Sequence, residues 1–266
     1  MNYPQVVQIE TTAACNAHCG FCPHSSMKRA GRMSDELVAK LLDEIGAWAV
    51  KPVAVCPFLT NEPFADTRIF DISSRIREVA PDTMLTFFTN ASLLNAARRE
   101  AILAIPGPTN FFCSLHHYTP EAYKAELGLD FHRTVDNIKA LCAEAPRPVH
   151  VLRVMDGTAA DQRFLNWVRD NIPHAIPMLA HRWNWKGDIA AVSADLHGDI
   201  ICPRATSITV LYDGRVSLCC MDQNADYQLG DVNRQTLLEV YNNERHTHFF
   251  ITPKSHKAPC KTCNMH

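Results

Sequence analysis

Apolar runs of strand length alternate with amphipathic segments of helix length over the first two thirds of the chain. Six apolar runs are predicted to be strands, at residues 6–10, 53–58, 84–90, 110–115, 150–154 and 176–182. Helices are predicted between them at about 34–47, with Ser34 as the N-cap, and at about 67–80, 92–103, 131–143 and 158–171. This alternation favours an α/β fold with a parallel sheet and helices outside it.

The pattern changes after about residue 200. Two strand-like runs, at 207–211 and 216–219, flank the dipeptide Asp213-Gly214, which is typical of a hairpin turn. A short helix is predicted at 235–242. We therefore expect residues 1–190 to form the main α/β domain and residues 191–266 to form a small C-terminal domain.

Composition and charge limit the partners of the protein. The chain has 266 residues, of which 47% are hydrophobic, and a formal net charge of −2. No run of lysine and arginine stands out, so we expect no nucleic-acid partner. No apolar stretch approaches the roughly 18 residues of a membrane span, and residues 1–30 lack a signal pattern. We therefore expect a cytoplasmic protein without a membrane partner.

The eleven cysteines carry the clearest chemical signal. In a cytoplasmic protein, clustered cysteines bind metals or act chemically more often than they form disulfides. Cys15, Cys19 and Cys22 lie in one short loop after the first predicted strand. Three thiolates are one fewer than the four that close a zinc site or an all-cysteine iron–sulfur cluster, which leaves one metal position open for a ligand. A zinc loop or buried structural cysteines are the alternatives.

The flanks of this loop point to a family. The C-x3-C-x2-C spacing, the aromatic Phe21 before the third cysteine and the place after the first strand resemble the radical S-adenosylmethionine (SAM) superfamily. The resemblance implies a partial (β/α)6 barrel with its chemistry at the C-terminal ends of the strands. It also implies a [4Fe–4S] cluster on the three cysteines, with SAM bound to the fourth iron. Reduced by a flavodoxin or ferredoxin, such a cluster cleaves SAM to a 5′-deoxyadenosyl radical that takes a hydrogen atom from the substrate.

Other motifs of that family imply contacts with SAM. Thr60-Asn61-Glu62-Pro63 resembles a motif that binds the methionine amino group, although Asn61 replaces the usual glycine. The segment Thr89-Asn90-Ala91 resembles a second motif, with alanine in place of glycine. By this resemblance the cofactor-binding residues are Phe21, Asn61, Glu62, Pro63, Thr89, Asn90 and Ser114. Arg153, which lies outside any family motif, is a further candidate partner for a carboxylate of SAM or substrate.

A second set of cysteines in the C-terminal segment can hold a closed zinc site or a [4Fe–4S] cluster. Its members are Cys202, Cys219, Cys260 and Cys263. Their order, with Asp213-Gly214 and Leu229-Gly230-Asp231 between them, resembles the twitch form of the SPASM extension, which implies one auxiliary [4Fe–4S] cluster. Cys219 and the adjacent Cys220 could exchange roles. Cys219 is preferred as the ligand because it follows Gly214 by the spacing that relatives of this form show.

The resemblance implies hydrogen abstraction from a substrate, which we expect to be a small hydroxylated metabolite such as a sugar, an aminocyclitol or a nucleoside. In a dehydrogenase the auxiliary cluster would accept an electron from the substrate radical. In an epimerase a thiol would return a hydrogen atom, and Cys56 and Cys220 are the candidates for that role. His116 and His117, just beyond the fourth strand, are further catalytic candidates at the expected mouth of the barrel.

Three questions stay open at this point. Trp183 and Trp185 either line a substrate site or pack the barrel against the C-terminal segment. A peptide-modifying enzyme of the same group is a rival, although the strand that begins at residue 6 leaves no room for the N-terminal recognition domain that many of them carry. A non-catalytic metal-binding protein is the rival from another class, and the retained Phe21, Glu62 and three N-terminal cysteines argue against it.

Overall fold

A computed structural model describes residues 2–27, 30–189, 202–253, 260–261 and 263–264 of the chain. Strand β1 (Val6–Ile9) begins a run of parallel strands in which each strand pairs with the one before it. The run continues with β2 (Ala54–Cys56), β3 (Met84–Thr89), β4 (Thr109–Ser114), β5 (Val149–Val154) and β6 (Ala175–Ala180). The six predicted strands and their parallel pairing are confirmed, with small shifts at the strand ends.

Six helices of the described ranges connect these strands. They are α1 (Asp35–Ala47), α2 (Ile69–Val79), α3 (Ala96–Leu103), α4 (Pro120–Leu127), α5 (Phe131–Glu144) and α6 (Ala159–Asn171). Ser34 caps α1 as predicted. The predicted start of α3 at residue 92 is wrong, because the Asn95 side chain caps that helix. The sequence analysis missed α4, although Thr119 caps it, Pro120 begins it and Gly128 ends it in the left-handed conformation.

The two faces of the parallel sheet have different surroundings, because side chains alternate along each strand. Val7, Leu85 and Phe87 lie on the helix side, buried in one core with helix residues such as Leu41. The opposite face, which we call the inner face, carries the alternate residues. This arrangement is the partial barrel expected from the sequence, with helices outside.

A row of three rings crosses the inner face. Phe88, Phe112 and His150 are register partners on β3, β4 and β5. Their rings stack, with centroids 4.5 Å apart for the first pair and 4.7 Å apart for the second. Phe88 is 38% exposed. The inner face is therefore open to solvent where this row lies.

The C-terminal segment extends the same sheet. Strand β7 (Ser207–Val210) pairs in parallel with β1 and turns at Gly214 into the antiparallel β8 (Arg215–Ser217), which pairs with β9 (Gly230–Asp231). Helices α7 (Leu237–Tyr241) and α8 (Glu244–Ile251) follow. The predicted hairpin is confirmed, and its first strand also joins the sheet of the barrel. The predicted boundary at 190/191 lies outside the described residues.

None of the helices within the described ranges is both long and apolar enough to span a membrane.

Candidate active site and metal centres

The N-terminal cysteine loop begins beyond the C-terminal end of β1, and helix α4 holds it from the side. Its half-buried free thiols are Cys15, Cys19 and Cys22. The His18 N–H donates to the Leu127 carbonyl at 3.1 Å, and the Gly20 N–H donates to Glu126 Oε1 at 2.9 Å. The helix that the sequence analysis missed therefore positions the loop that it identified.

The three thiols of this loop form one electrostatic group. Burial raises the pKa of Cys15 to about 11 and the pKa of Cys19 to about 12, and the neighbouring thiols add to both shifts. Within the described ranges, no three His, Cys, Asp or Glu side chains are arranged to hold a single metal ion. A four-iron cluster that leaves one iron open binds three thiolates, one on each of the other irons. The three grouped thiols of this loop match that donor set.

Glu62 lies next to this loop as a fully buried carboxylate. It precedes a 3-10 turn that begins at Pro63, and its Oε1 accepts from the Phe64 N–H at 3.1 Å. Oε1 also accepts from the Thr89 hydroxyl at 2.7 Å, while Oε2 accepts from the Asn90 N–H at 2.8 Å. Burial raises the pKa of Glu62 to about 7, although these hydrogen bonds act to lower it. A carboxylate has about four acceptor positions, so one is left for an ammonium ligand.

Asn61, which stands in place of a glycine, offers a hydrogen-bond donor. Its Oδ1 accepts from the Leu59 N–H at 2.7 Å. Its Nδ2 is buried and has no hydrogen-bond partner within the described ranges. Leaving a buried amide donor unpaired is costly. An orphaned donor beside Glu62 therefore fits a site built for a polar ligand such as SAM.

A triangle of side chains joins the cysteine loop to the end of β3. Asn90 Nδ2 donates to Asn16 Oδ1, Asn16 Nδ2 donates to the Ser92 hydroxyl, and the Ser92 hydroxyl donates to Asn90 Oδ1, at 2.7–2.9 Å. Ala91 adopts a positive φ of 59°, a conformation that favours the glycine of the family motif. Thr89 and Asn90 therefore hold Glu62 and the loop. The sequence analysis missed Asn16 and Ser92, whose signal was their place beside the two motifs.

The two histidines have different environments. His116 is buried, its ring lies edge-on to Phe21 with centroids 4.5 Å apart, and its Nδ1 accepts from the Val154 N–H at 3.0 Å. Burial lowers the pKa of His116 to about 3, so the ring is neutral near pH 7 and cannot serve as a base through Nδ1. It supports the aromatic residue of the cysteine loop. His117 is half-buried, and burial also lowers its pKa.

Arg153 and Ser114 lie on opposite faces of the sheet. Ser114 shares the inner face with Phe112, as predicted from strand alternation. The Arg153 guanidinium instead donates to Asp161 of α6 at 2.7 Å, to Asp156 at 2.6 Å and to the His116 carbonyl at 2.6 Å. The expectation that Arg153 reaches a ligand carboxylate is therefore corrected: its donors fix the loops that follow β4 and β5.

The four cysteines outside the two cysteine sets fall into two pairs. Cys113 and Cys142 are buried in the helix-side core. Cys56, at the end of β2, and Cys220 are buried close enough for each to feel the charge of Arg204 and for Cys220 to influence Cys56. Burial raises the pKa of Cys56 to about 12, so it stays a protonated thiol near neutral pH. The structure thus brings the two hydrogen-donor candidates together.

The C-terminal cysteines come from separate segments. Cys202 precedes β7 and Cys219 follows β8, so the antiparallel pairing brings both towards the edge of the sheet at which β1 begins. Burial raises the pKa of Cys219, with further contributions from Cys220, Cys202 and Cys263. The Cys263 N–H donates to the Cys260 carbonyl at 3.1 Å. Four grouped thiols match the donor set of a [4Fe–4S] cluster and also that of a structural zinc site.

Residues 182–188 connect the two cysteine sites, and we call them the strap. Trp183 and Trp185 pack against Cys220 and Met221. The Trp185 indole N–H donates to the carbonyl of Phe21 at 3.3 Å. Of the two roles considered for the tryptophans, packing against the C-terminal segment has this direct support.

Comparison with known protein families gives two matches. The model of the Radical SAM superfamily matches residues 9–168. The model of the SPASM iron-sulfur cluster-binding domain matches residues 202–264. No curated protein sequence matches the chain.

Comparison with solved structures adds support for the fold. BtrN in complex with AdoMet and 2-DOIA has a TM-score of 0.72 and 16% identity, over 99% of this chain and 94% of that chain. Streptococcus suis SuiB bound to the precursor peptide SuiA has a TM-score of 0.74 and 14% identity, over 99% and 70%. Native anSMEcpe with bound AdoMet has a TM-score of 0.68 and 16% identity, over 95% and 83%. At these identities the likeness shows the fold alone.

Proposed function

The chain belongs to the radical SAM superfamily, and from that premise we propose that it removes hydrogen from a small hydroxylated metabolite. The radical SAM domain implies a [4Fe–4S] cluster and SAM, and the SPASM segment implies auxiliary iron–sulfur. We propose that Cys15, Cys19 and Cys22 bind the first cluster. For the auxiliary cluster we propose Cys202, Cys219, Cys260 and Cys263, within a C-terminal domain of residues 191–266.

One observation carries this proposal. The N-terminal cysteine loop lies where β1 ends, Cys202 and Cys219 approach the edge where β1 begins, and the inner face lies between them. When bound, the N-terminal cluster and SAM supply a hydrogen-abstracting radical, and the C-terminal cluster supplies a one-electron acceptor. A substrate on the inner face would therefore have both within reach. That arrangement suits dehydrogenation of an alcohol carbon.

The residues around the inner face would have separate roles in binding SAM and in accepting a proton. Glu62 and Asn61 would hold the ammonium and a polar acceptor of SAM, through the free acceptor position and the unpaired amide donor. Once a carbon has lost its hydrogen atom, its hydroxyl must lose a proton and the carbon one electron to give a carbonyl. His117, half-buried and at the end of β4, is our candidate for receiving that proton.

A second candidate function, epimerisation, is favoured by the thiol of Cys56. A hydrogen-atom donor must keep its S–H bond, and burial holds Cys56 protonated. In that reaction the substrate carbon regains a hydrogen atom from sulfur on the opposite face, and a reductant of the assay must later restore the thiol. Cys220, its neighbour, is the alternative donor.

The proposed substrate class is based on BtrN, because that match extends over nearly the full length of both chains and the BtrN complex contains 2-DOIA. SuiB, bound to a peptide, and anSMEcpe share the fold, and the exposed ring row of Phe88 offers an apolar surface that suits a peptide side chain. We keep peptide modification as the rival. We also propose a cytoplasmic location and a flavodoxin or ferredoxin as the electron donor.

The test is anaerobic turnover with SAM and a reductant, in deuterated water. Sugars, aminocyclitols, nucleosides and short peptides are offered in parallel, and the Cys15/Cys19/Cys22→Ala variant is the control. The proposal expects 5′-deoxyadenosine with a hydroxylated metabolite and with no peptide. A ketone product indicates dehydrogenation, and deuterium at the reacting carbon indicates epimerisation. Turnover of peptides alone, or no cleavage of SAM with any substrate, would contradict the proposal.

A further inference from the structure

The strap contacts both cysteine segments at their ends. Trp185 reaches the Phe21 carbonyl, one residue before Cys22. The Asn184 N–H donates to Asn264 Oδ1 at 2.9 Å, and Asn264 Nδ2 donates to the Arg182 carbonyl at 2.8 Å. Because Asn264 directly follows Cys263, the strap is fixed to the final cysteine of the second site.

Two consecutive residues of the strap have an unfavourable backbone conformation. Trp185 has a φ of 49° and Lys186 a φ of 62°, in the left-handed region that favours glycine. Such strain persists where surrounding contacts over-determine it, and it is concentrated at functional sites. The hydrogen bond to the Phe21 carbonyl holds Trp185 in this conformation, and the contacts of Lys186 must hold the second residue.

Lys186 forms an ion pair with a carboxylate that is completely buried. Its Nζ lies 3.0 Å from Asp222 Oδ1, and Asp222 has no exposed side-chain surface. Asp226 and Asp188 lie farther from Nζ, at 3.5 and 3.7 Å, and their side chains are 57% and 44% exposed. Lys186 itself is 8% exposed. Among these carboxylates, Asp222 is therefore the one that needs a buried counter-charge.

Asp222 also shapes the turn that carries the second cysteine site. Its carboxylate accepts the N–H groups of Leu218, Asp226 and Tyr227 at 3.0–3.3 Å. Its own N–H donates to the Cys219 carbonyl at 3.0 Å. A buried negative charge thus lies within the same short turn as Cys219, and Lys186 offsets that charge.

The sign of the effect on a bound cluster follows from electrostatics. The potential of an iron–sulfur cluster depends on nearby charge, hydrogen bonds to sulfur and solvent exposure. A nearby negative charge disfavours the addition of an electron, and a nearby positive charge favours it. Without the Lys186 ammonium, the Asp222 carboxylate would keep its N–H donors but lose its positive counter-charge, and the cluster would be harder to reduce.

We propose that Lys186 is a positioning residue that raises the reduction potential of the C-terminal centre by neutralising Asp222. The ion pair lets that centre accept an electron from a substrate. The inference rests on the proposed function, because it requires an iron–sulfur cluster on the C-terminal cysteines.

The test is a redox titration of the reconstituted full-length protein, followed by EPR of each cluster. Lys186→Met should shift the C-terminal potential to more negative values and leave the N-terminal potential unchanged. Lys186→Arg keeps the positive charge, so its C-terminal potential should equal that of the wild type. Lys51→Met is the matched control, because Lys51 donates to the Ile45 and Trp48 carbonyls at the end of α1 and lies outside both cysteine segments.

A second variant keeps the test decisive if Lys186→Met loses iron. Asp226→Asn removes an exposed negative charge near the same ammonium, and it should shift the C-terminal potential in the opposite, positive direction. About eight irons with unchanged C-terminal potentials in the variants that keep the cluster would overturn the role of Lys186 and leave the proposed function standing. About four irons with zinc in the C-terminal site would overturn both.

Discussion

The two cysteine sites of this protein are built in opposite ways. The N-terminal site has its three cysteines within one loop, and contacts from the ends of β2, β3 and α4 hold that loop. The C-terminal site gathers cysteines from before β7, after β8 and near the end of the chain. Its geometry depends on a hairpin, on the strap and on a buried ion pair. The first site is therefore fixed by local sequence, and the second by long-range packing.

This difference predicts that each site can be damaged separately. The largest effect is expected from Glu62→Gln, which removes the negative charge beside the N-terminal loop. Hydrogen bonds to charged groups contribute about 1.5–3 kcal/mol, so SAM affinity should fall roughly 10- to 100-fold. Binding of SAM to the oxidised, cluster-replete protein measures the effect.

The control for this change is Glu100→Gln, which alters an exposed glutamate of α3. The EPR signal of the C-terminal cluster should be the same in both variants. Unchanged SAM affinity in Glu62→Gln would show that Glu62 does not contact the ligand.

A smaller effect, on the C-terminal site and not on the N-terminal one, is expected from Asn264→Ala. Asn264 fixes the end of the chain beside Cys263 to the strap through Asn184 and Arg182. Its loss should make the C-terminal iron several-fold more accessible to a chelator, while SAM affinity stays at the wild-type value. Asn171→Ala, which removes an exposed side-chain bond to the Trp167 carbonyl, is the control. Equal chelation rates in the two variants would contradict the role of the strap.

The smallest effect concerns the pH dependence of the C-terminal region. His246 is buried between Tyr241 and Phe250, and burial lowers its pKa to about 4. The unfolded chain, with a pKa near 6.5, therefore takes up this proton first on acidification. Stability due to His246 should be full above about pH 6.5 and should fall by about 1–3 kcal/mol as the pH drops towards 4.

Replacing His246 with phenylalanine keeps the ring contacts and removes the titration. Denaturant unfolding between pH 4 and 7 should show a weaker pH dependence in His246→Phe than in the wild type. His248→Gln, an exposed change on the same helix, should leave the dependence as it is. An identical pH profile in the wild type and His246→Phe would refute the assignment.

The same contrast explains what the sequence could predict. The apolar runs, the Ser34 cap and the Asp213-Gly214 turn are local signals, and the structure confirms the strands, α1 and the hairpin that they indicate. The family motifs also led to Glu62 and Asn90. The hydrogen bond between these two residues was not visible, because it joins loops that are distant in sequence.

Long-range partners account for the rest. Arg153 was expected at a ligand, but its charge pairs with Asp161 on the next helix, and periodicity alone does not show which face of β5 it takes. The pairing of β7 with β1 joins two segments that are far apart in the sequence. The ion pair of Lys186 with Asp222 likewise depends on how the strap crosses the hairpin. Contacts of this kind need the fold before they can be recognised.

The most direct test of the account is the content of iron, sulfide and zinc after anaerobic reconstitution. The account predicts about eight irons and eight sulfides per wild-type chain, and about four of each in the Cys15/Cys19/Cys22→Ala variant. About four irons and one zinc in the wild type, with only the zinc left in the variant, would contradict it. The C-terminal site would then be structural, and a redox-neutral reaction would have to replace dehydrogenation.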